Sequence, residues 1–439
     1  MGTRMRSNQP KVMHQIGGLS MVGHVIKTAL QLGTEKLAVV IGPNMDDVKQ
    51  EVSSHVDNPQ FFIQEERLGT AHAVLAARST LEGHDGPVLV LYGDTPLITP
   101  ASLELLLSKL TLGHHVGVLG FDAIDPHGYG RLLENETGLL VAIREDAELQ
   151  EGEKEISLCN SGVMAFSSGC VLELLDQINN DNKPQEYYLT DAVEVANANQ
   201  MTAVASRCSE REVLGINDRV QLGEAETIFQ SRMRLKAQEE GATLIGPETI
   251  FFSHDTKLGQ DVVVEPNVIF GPGTSVGDGV QIAAFSHLTG TSLGKDAVVG
   301  PFARLRPGAR IGEAAKIGNF VEIKNADIAM GAKVNHLSYI GDAFVGEAAN
   351  IGAGTITCNY DGYFKHKTDI GRGAFIGSNS SLIAPLKIGD GAYIGSGSVI
   401  SQNVPDDALA LTRAPRQIFE EWAARYRKSQ TRKKQSKKV

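Results

Sequence analysis

An apolar side chain, usually aliphatic and often followed by glycine, recurs every sixth residue between positions 258 and 400, and this constrains the chain more than anything else in it. The series runs Leu258, Val264, Phe270, Val276, Ile282, then Leu293, Val299, Leu305, Ile311, Ile317, Ile323, then Val334 and Ile340, then Val345 and Ile351, and finally Ile370, Ile376, Leu382, Ile388, Ile394, Ile400. Six is neither the period of an amphipathic helix nor that of an alternating strand. It is the period of a parallel β-helix, in which each hexad makes one short strand and a turn, and three hexads close a triangular coil. The apolar side chains then stack inward, while Gly, Asn and Asp accept the positive φ of tight corners. Breaks of phase before Leu293, Ile328 and Val345, and an excursion over 357–369, are expected to be loops leaving the prism. Loops on a rigid scaffold are where sites gather.

The remaining residues have a different texture. At 439 residues the chain has room for two or three domains, and 21% charged with 42% hydrophobic residues is an ordinary globular composition. From Ser20, a capping residue, Val22, Val25, Ile26, Ala29 and Leu30 fall on one helical face, with Gly33 as the stop. Strand-like runs at 37–41, 61–63, 88–91, 116–119 and 163–166 alternate with helical patterns such as 70–78 and 100–110. Alternation of this kind predicts an α/β domain of mostly parallel sheet over 1–217, with ligands at the carboxyl ends of the strands. Residues 218–240 read as one linker helix, 241–416 as the β-helix, and 417–439 as a closing helix and basic tail.

A net charge of −11 argues against broad nucleic-acid binding, although the segment 427–439 holds seven Lys/Arg and no acid. Such a tail reads as solvated and disordered. Cys159, Cys170, Cys208 and Cys358 lack paired spacing, which suggests reduced thiols in a cytoplasmic protein. There is no signal-peptide pattern and no membrane-length apolar run, so membrane insertion is not expected.

Several stretches carry candidate chemistry. Gly2-Thr3-Arg4 with Lys11 can wrap a polyphosphate, through backbone N–H groups and cations. Tyr92-Gly93-Asp94 follows an apolar strand, which puts a carboxylate where a divalent cation and phosphates would sit. Gln64, Gly69-Thr70, Gly128-Tyr129-Gly130-Arg131, Asn160-Ser161-Gly162 and Gly215-Ile216-Asn217-Asp218 add polar loops at strand ends. On the coil, Arg304, Arg306, Lys324, His336, Tyr339, Asn350, Asn359, Tyr360 and Lys365 fall in successive turns, where stacking can gather them into one groove. His336 is the natural general base, since imidazole titrates near neutral pH.

Together these motifs, with Asn350-Ile351-Gly352-Ala353-Gly354-Thr355-Ile356-Thr357-Cys358-Asn359-Tyr360 and Arg304-Leu305-Arg306-Pro307-Gly308, resemble a bifunctional bacterial family. That family joins N-acetylglucosamine-1-phosphate uridyltransferase to glucosamine-1-phosphate acetyltransferase on a left-handed β-helix. The resemblance spans Gly2 to about Arg416 and implies synthesis of UDP-N-acetylglucosamine, a precursor of peptidoglycan and lipopolysaccharide. It implies that Arg4 and Lys11 bind the UTP phosphates and that Gln64, Gly69 and Thr70 read the uracil. Asp94 and Asn217 would hold Mg²⁺, and Tyr92, Gly93, Gly130 and Asn160 would line the sugar pocket with Glu145 the nearest candidate acid. On the coil it implies His336 as base, Arg306, Lys324, Tyr339 and Asn350 on glucosamine 1-phosphate, and Ala353, Asn359, Tyr360, Ser378, Ser396 and Arg413 on acetyl-CoA. It further implies a homotrimer. The family usually has Ala where Ser396 stands.

In that family an apolar strand and a Leu-Ala-Ala-Gly turn precede Gly-Thr-Arg-Met, whereas here Met1 stands where the turn would end. The expectation is a first domain lacking its first strand, with neighbouring strands unpaired on one side and uridylyl transfer impaired. An acetyltransferase alone is therefore one alternative reading. A non-catalytic scaffold subunit is another, against which His336, Lys324, Tyr339 and the Asn359-Tyr360 pair weigh.

Overall fold

A computed structural model describes residues 3–182 and 185–436. Met1, Gly2 and the last three residues of the basic tail lie outside the described residues. The chain divides into two compact units, one of residues 1–236 with 251–254 and one of residues 237–250 with 255–439. Among the described residues no helix is long and apolar enough to cross a membrane.

In the first unit, the Ser20 hydroxyl accepts a hydrogen bond from the Gly23 N–H at 3.0 Å and starts the helix Met21–Gln31. Val22, Val25, Ile26 and Ala29 are buried on its inner face, and Gly33 leaves at φ +73°. A six-stranded sheet follows the order Val88–Val90, Leu158–Phe166, Val116–Asp122, Ala203–Cys208, Leu139–Arg144, Arg131–Glu134. The sheet is less parallel among neighbours than the alternation predicts. Leu158–Phe166 runs antiparallel between Val88–Val90 and Val116–Asp122, and Ala203–Cys208 beside Val116–Asp122 is the parallel pair. Ala38–Ile41 and Gln60–Ile63 form a separate parallel pair.

Alternation decides the two cores. Val116, Val118, Met164 and Phe166 pack on Val171 and Leu174 of the helix Cys170–Leu175, while Leu119, Phe121, Val163 and Ala165 pack on Leu103 and Leu106 of the helix Pro100–Thr111. Both faces are covered, so the strands read as unbroken apolar runs. Each buried Leu, Phe or Met contributes about 1.5–3 kcal/mol. The helix Arg219–Glu239 is not a free linker: Ala225 and Phe229 pack with Ile16, Met21, Leu97 and Ile216 in this unit.

The second unit is the left-handed β-helix. One face runs from Thr243–Leu244 to Leu409–Ala410 as ten parallel rungs, and Val264, Ile282, Val299, Ile317, Val334, Ile351, Ile376 and Ile394 are buried inside it. Lys257 lies beside Ser275, eighteen residues on, which is three hexads. Ser275 lies beside Ser292, only seventeen residues on. The phase slips are therefore corners shortened by one residue, not loops. At two of them a seven-residue strand, Glu322–Ile328 or Tyr339–Val345, runs straight through the bend, with Asn325 and Asp342 at positive φ. The excursion between Ile356–Cys358 and Thr368–Ile370 does leave the prism. The basic tail also differs from expectation, since the helix Trp422–Ser436 runs well into it.

Candidate functional site

In the first unit, three sequence-distant loops meet at one cation. The Lys11 ammonium lies 2.5 Å from Asp94 Oδ2 and 3.1 Å from Asn217 Oδ1. Asp94 follows the strand Val88–Val90, and the Asp94 carbonyl accepts from the Ile216 N–H at 3.0 Å, which ties the Asn217 loop to it. A valine from the Lys11 turn comes so close to Gly93 that a Cβ there would meet Val12 Cγ1 at 3.2 Å.

A second group is built around Tyr92. Burial pushes its phenol up to about 12; its bond with Thr70 pulls the other way, and the Asp94 and Glu145 carboxylates add to the rise. Its ring lies against Gly162, where φ is +88° and an added Cβ would come within 3.1 Å. The Asn160 N–H donates to Gly130 O at 2.8 Å, and a Cβ at Gly130 would lie 3.5 Å from Glu145 Oε2. Glu145 thus faces the same hollow, its pKa raised by burial and by Glu148 and Asp146. Gln64 donates to Gly69 O at 3.0 Å, and Thr70 Oγ1 accepts from the Leu189 N–H at 2.9 Å. Arg4 stands apart: it is exposed in the short turn Thr3–Met5, and no described contact joins it to Lys11.

On the coil the register does the assembling. Asn319 and His336 occupy the same position on adjacent rungs, and His336 Nδ1 lies 2.7 Å from Asn319 Oδ1. An amide oxygen can only accept, so Nδ1 carries the proton and Nε2 is left as the acceptor. The imidazole is exposed. In the strand Glu322–Ile328, Lys324 has its pKa lowered by the adjacent Lys365 ammonium and by burial, partly offset by Asp342, with Arg306 adding to the repulsion. Three cations around one acid form a ready anion site. Arg306 is held by Glu322 at 2.8 Å, one rung on. Tyr339 is the rung neighbour of Glu322. Asn350 lies one rung on from Lys333, at a different position from Tyr339.

Asp342 organises the neighbouring corner. Its two oxygens accept from Asn325 at 2.6 Å and from Asn359 at 2.5 Å, holding the buried Asn359 where the excursion starts. Within the excursion Asp361 accepts from the Tyr363 and Phe364 N–H groups and lies 2.7 Å from His366 Nε2; the backbone bond from Phe364 and the His366 contact pull its carboxyl down to about 2. Tyr360 is exposed and donates to Gly362 O. A cavity of 380 Å³ beside this loop is lined by Arg310, Asn325, Asp327, Asp342, Ala343, Lys365, His366 and Lys367. Ile351, Ile376 and Ile394 are rung partners, so Ala353, Ser378 and Ser396, each two residues later, rise along one edge. Arg413 Nη2 reaches the same edge, 3.0 Å from where a Cβ of Gly395 would be. Asn319 and Asp342 escaped the sequence reading, and the signal was register: each lies seventeen residues from a residue that was singled out.

Residues 1–156 match the model of the MobA-like NTP transferase domain, and 255–290, 290–325 and 367–402 match the bacterial transferase hexapeptide. A protein of Azorhizobium caulinodans named bifunctional protein GlmU is 56% identical over 97% of this chain and 95% of its own length. Proteins of the same name from Xanthobacter autotrophicus and Bradyrhizobium diazoefficiens are 53% and 54% identical, over 99% and 100% of this chain and 96% and 97% of their own lengths. The chain belongs to the GlmU family. Like its GlmU relatives it joins a nucleotidyltransferase domain to a hexapeptide-repeat acyltransferase domain. The inositol-1-phosphate CTP transferase of T. maritima also aligns, with a TM-score of 0.42 and 15% identity over 52% of this chain and 90% of that one.

Proposed function

We propose that the two units divide the two closing steps of UDP-N-acetylglucosamine synthesis between the residues described above. The enzyme is bifunctional: it acetylates glucosamine 1-phosphate from acetyl-CoA and transfers uridylyl from UTP to N-acetylglucosamine 1-phosphate, releasing pyrophosphate. Its relatives match across both units, so neither an acetyltransferase alone nor a non-catalytic scaffold is favoured.

The observation that carries the residue assignment is the pairing of His336 with Asn319, and the gathering of Lys365 and Arg306 about Lys324 on the strand that follows Asn319 adds support. A sugar phosphate anchored by those cations, with Tyr339 and Asn350 beside it, presents its amine to Nε2 of His336. The base takes the proton as nitrogen attacks the thioester carbonyl, the C–S bond breaks, and the imidazolium returns that proton to the departing thiolate of coenzyme A. Acetyl-CoA lies along the edge of Ala353, Ser378, Ser396 and Arg413, with Asn359 and Tyr360 at the excursion. Among the described residues Cys358 has no base paired with it, and direct transfer needs no acyl-enzyme.

In the first unit Gln64, Gly69 and Thr70 read the base, Arg4 and Lys11 meet the triphosphate, and Tyr92, Gly93, Gly130, Glu145 and Asn160 hold the sugar. Asp94 and Asn217 fit Mg²⁺: their oxygens already converge on one cation, the Lys11 ammonium, and oxygen donors suit a hard metal. Bound there, Mg²⁺ supplies charge neutralisation for the phosphates. Among the described residues no group of three or more His, Cys, Asp or Glu forms a metal cluster.

The protein acts in the cytoplasm as a homotrimer on this reading. Support comes from one corner of the prism. Phe285, Phe302 and Phe320 occupy left-handed corner positions, stacked with centroids 5.0 and 5.1 Å apart and followed by Leu337 next to His336. A second corner column has Asp261, Gly279, Asp296 and Ala314, and the third has Gly273, Gly290, Gly308 and Asn325. A large side chain in that conformation costs roughly 1–2 kcal/mol, so a half-exposed Phe ladder fits a surface covered by another copy. The test is to assay both half-reactions on the purified chain, coenzyme A release from acetyl-CoA and pyrophosphate release from UTP, and to weigh the assembly by sedimentation equilibrium. Absence of either product overturns the corresponding assignment, and a monomer mass overturns the trimer.

A further inference from the structure

The segment over 418–435 belongs to neither site. Every described residue from Leu411 to Gln435 is exposed, so among the described residues the helix Trp422–Ser436 buries no side chain. Ile418, Phe419, Trp422 and Tyr426 nevertheless present large apolar surface at its start, with Trp422 and Tyr426 stacked four residues apart, centroids 5.1 Å and planes within 8°. Beyond them, residues 425–438 hold eight Lys/Arg and no acid, in a chain whose net charge is −11. This is a strong segregation of charge.

A helix of this composition is a poor structure in plain water. Lys, Arg, Gln and Ala favour helix intrinsically. Isolated helices below about 12–15 residues are marginal, and like charges at i,i+4, such as Lys428 with Arg432, weaken them further. An anionic plane relieves that repulsion along the whole basic stretch. The apolar group at the start defines which kind of plane. Trp and Tyr, with Ile and Phe in the turn before them, are the side chains that settle at the boundary between lipid headgroups and acyl chains. Single-stranded nucleic acid would instead use open ring faces for its bases, and here the two rings already close on each other.

We propose that residues 418–435 form a peripheral anchor for an anionic phospholipid surface, with Phe419, Trp422 and Tyr426 at the headgroup boundary and the basic stretch along the phosphates. The anchor lies on the surface and does not span the bilayer.

Trp422 is the only tryptophan in the chain, so its emission reports on this segment alone. The full-length protein would be mixed with vesicles of phosphatidylcholine containing about 30% phosphatidylglycerol, with vesicles of phosphatidylcholine alone, and with polyuridylate, and each mixture followed by Trp emission and co-sedimentation. The expected result is a blue shift and co-sedimentation with the anionic vesicles only, reversed at high salt. Lys428→Glu combined with Arg432→Glu and Lys434→Glu should lower vesicle partition by tenfold or more on the order expected for several basic residues, and Phe419→Ser by about tenfold. Both variants should keep the parent melting temperature and acetyl transfer, because these positions are exposed and outside the sites. Equal binding to the two vesicle types, vesicle binding that survives the triple substitution, or binding to polyuridylate with no vesicle binding would each overturn the anchor.

Discussion

The two sites are built by opposite means. In the α/β unit, Lys11, Asp94 and Asn217 come from three loops that tertiary folding must bring together, and their meeting depends on strand order and on the hydrogen bond that links Ile216 to Asp94. On the coil, Asn319 and His336, or Asp342 and Asn359, meet because they are seventeen residues apart in a structure that returns every seventeen or eighteen. One site is set by packing of elements and the other by counting. The second therefore tolerates little insertion or deletion, while the first tolerates sequence drift in its loops and is vulnerable to backbone strain.

If the sites are independent, their losses should not cross. His336→Ala is expected to lower acetyl transfer by about a hundredfold to ten-thousandfold, with uridylyl transfer and circular dichroism unchanged. The reciprocal change, Asp94→Asn, should cost uridylyl transfer about 10- to 100-fold and raise the Mg²⁺ needed for half-maximal rate, leaving acetyl transfer intact. A drop in both activities from either variant would break the comparison.

Asn319→Ala sharpens it on the coil. Loss of the acceptor frees the imidazole to adopt the other tautomer, so kcat for acetyl transfer should fall on the order of tenfold with KM unchanged. The pH profile should move as well, and Asn319→Asp, which keeps an acceptor, should restore most of the rate. An unchanged pH profile would assign Asn319 a packing role only.

Backbone strain is the corresponding probe of the first unit. Gly69 has φ +112°, and an added Cβ would meet Tyr187 O at 2.4 Å. Gly69→Ala should destabilise this unit by about 1–3 kcal/mol in denaturant melts and weaken UTP binding, with the coil's transition unmoved. The smallest effect is electrostatic. Burial, then Glu194, Glu148 and Glu145, push the Asp191 carboxyl up to about 6. A raised carboxyl means the folded state binds its proton more tightly than the unfolded chain. This contribution therefore favours folding at low pH and is lost as pH rises from the ordinary carboxylate value to about 6. Asp191→Asn should stabilise the protein by about 1 kcal/mol above pH 7, after allowing for its partial exposure, and by almost nothing at pH 4. Titration of Asp191 by NMR at an ordinary carboxylate pKa would remove this prediction.

The coil was legible because its apolar residues mark every rung, and the same arithmetic placed His336, Lys324 and Tyr339 on neighbouring turns. The phase slips were readable as positions but not as structures. A five-residue gap such as Ile323 to Ile328 looks like a loop in the sequence, and it becomes a tightened corner once Asn325 takes φ +44° and the strand runs through. In the first unit the strands near 38–41, 60–63, 88–90, 116–122 and the end of 158–166 and the Ser20 cap were legible, whereas Arg131–Glu134, Leu139–Arg144, Ala203–Cys208 and the antiparallel insertion of Leu158–Phe166 were not. Period-2 alternation fixes which side chains share a face and carries no information about which strand is the neighbour.

By itself the sequence determined the coil, its inward residues and the types of group each site would need, because those follow from local period and side-chain chemistry. Tertiary structure alone decided that Lys11 sits between Asp94 and Asn217, that Asn319 sets the tautomer of His336, and that Glu145 faces Gly130. Those are contacts between residues far apart in the chain, and a contact of that kind has no energy until the rest of the fold has brought its two ends together.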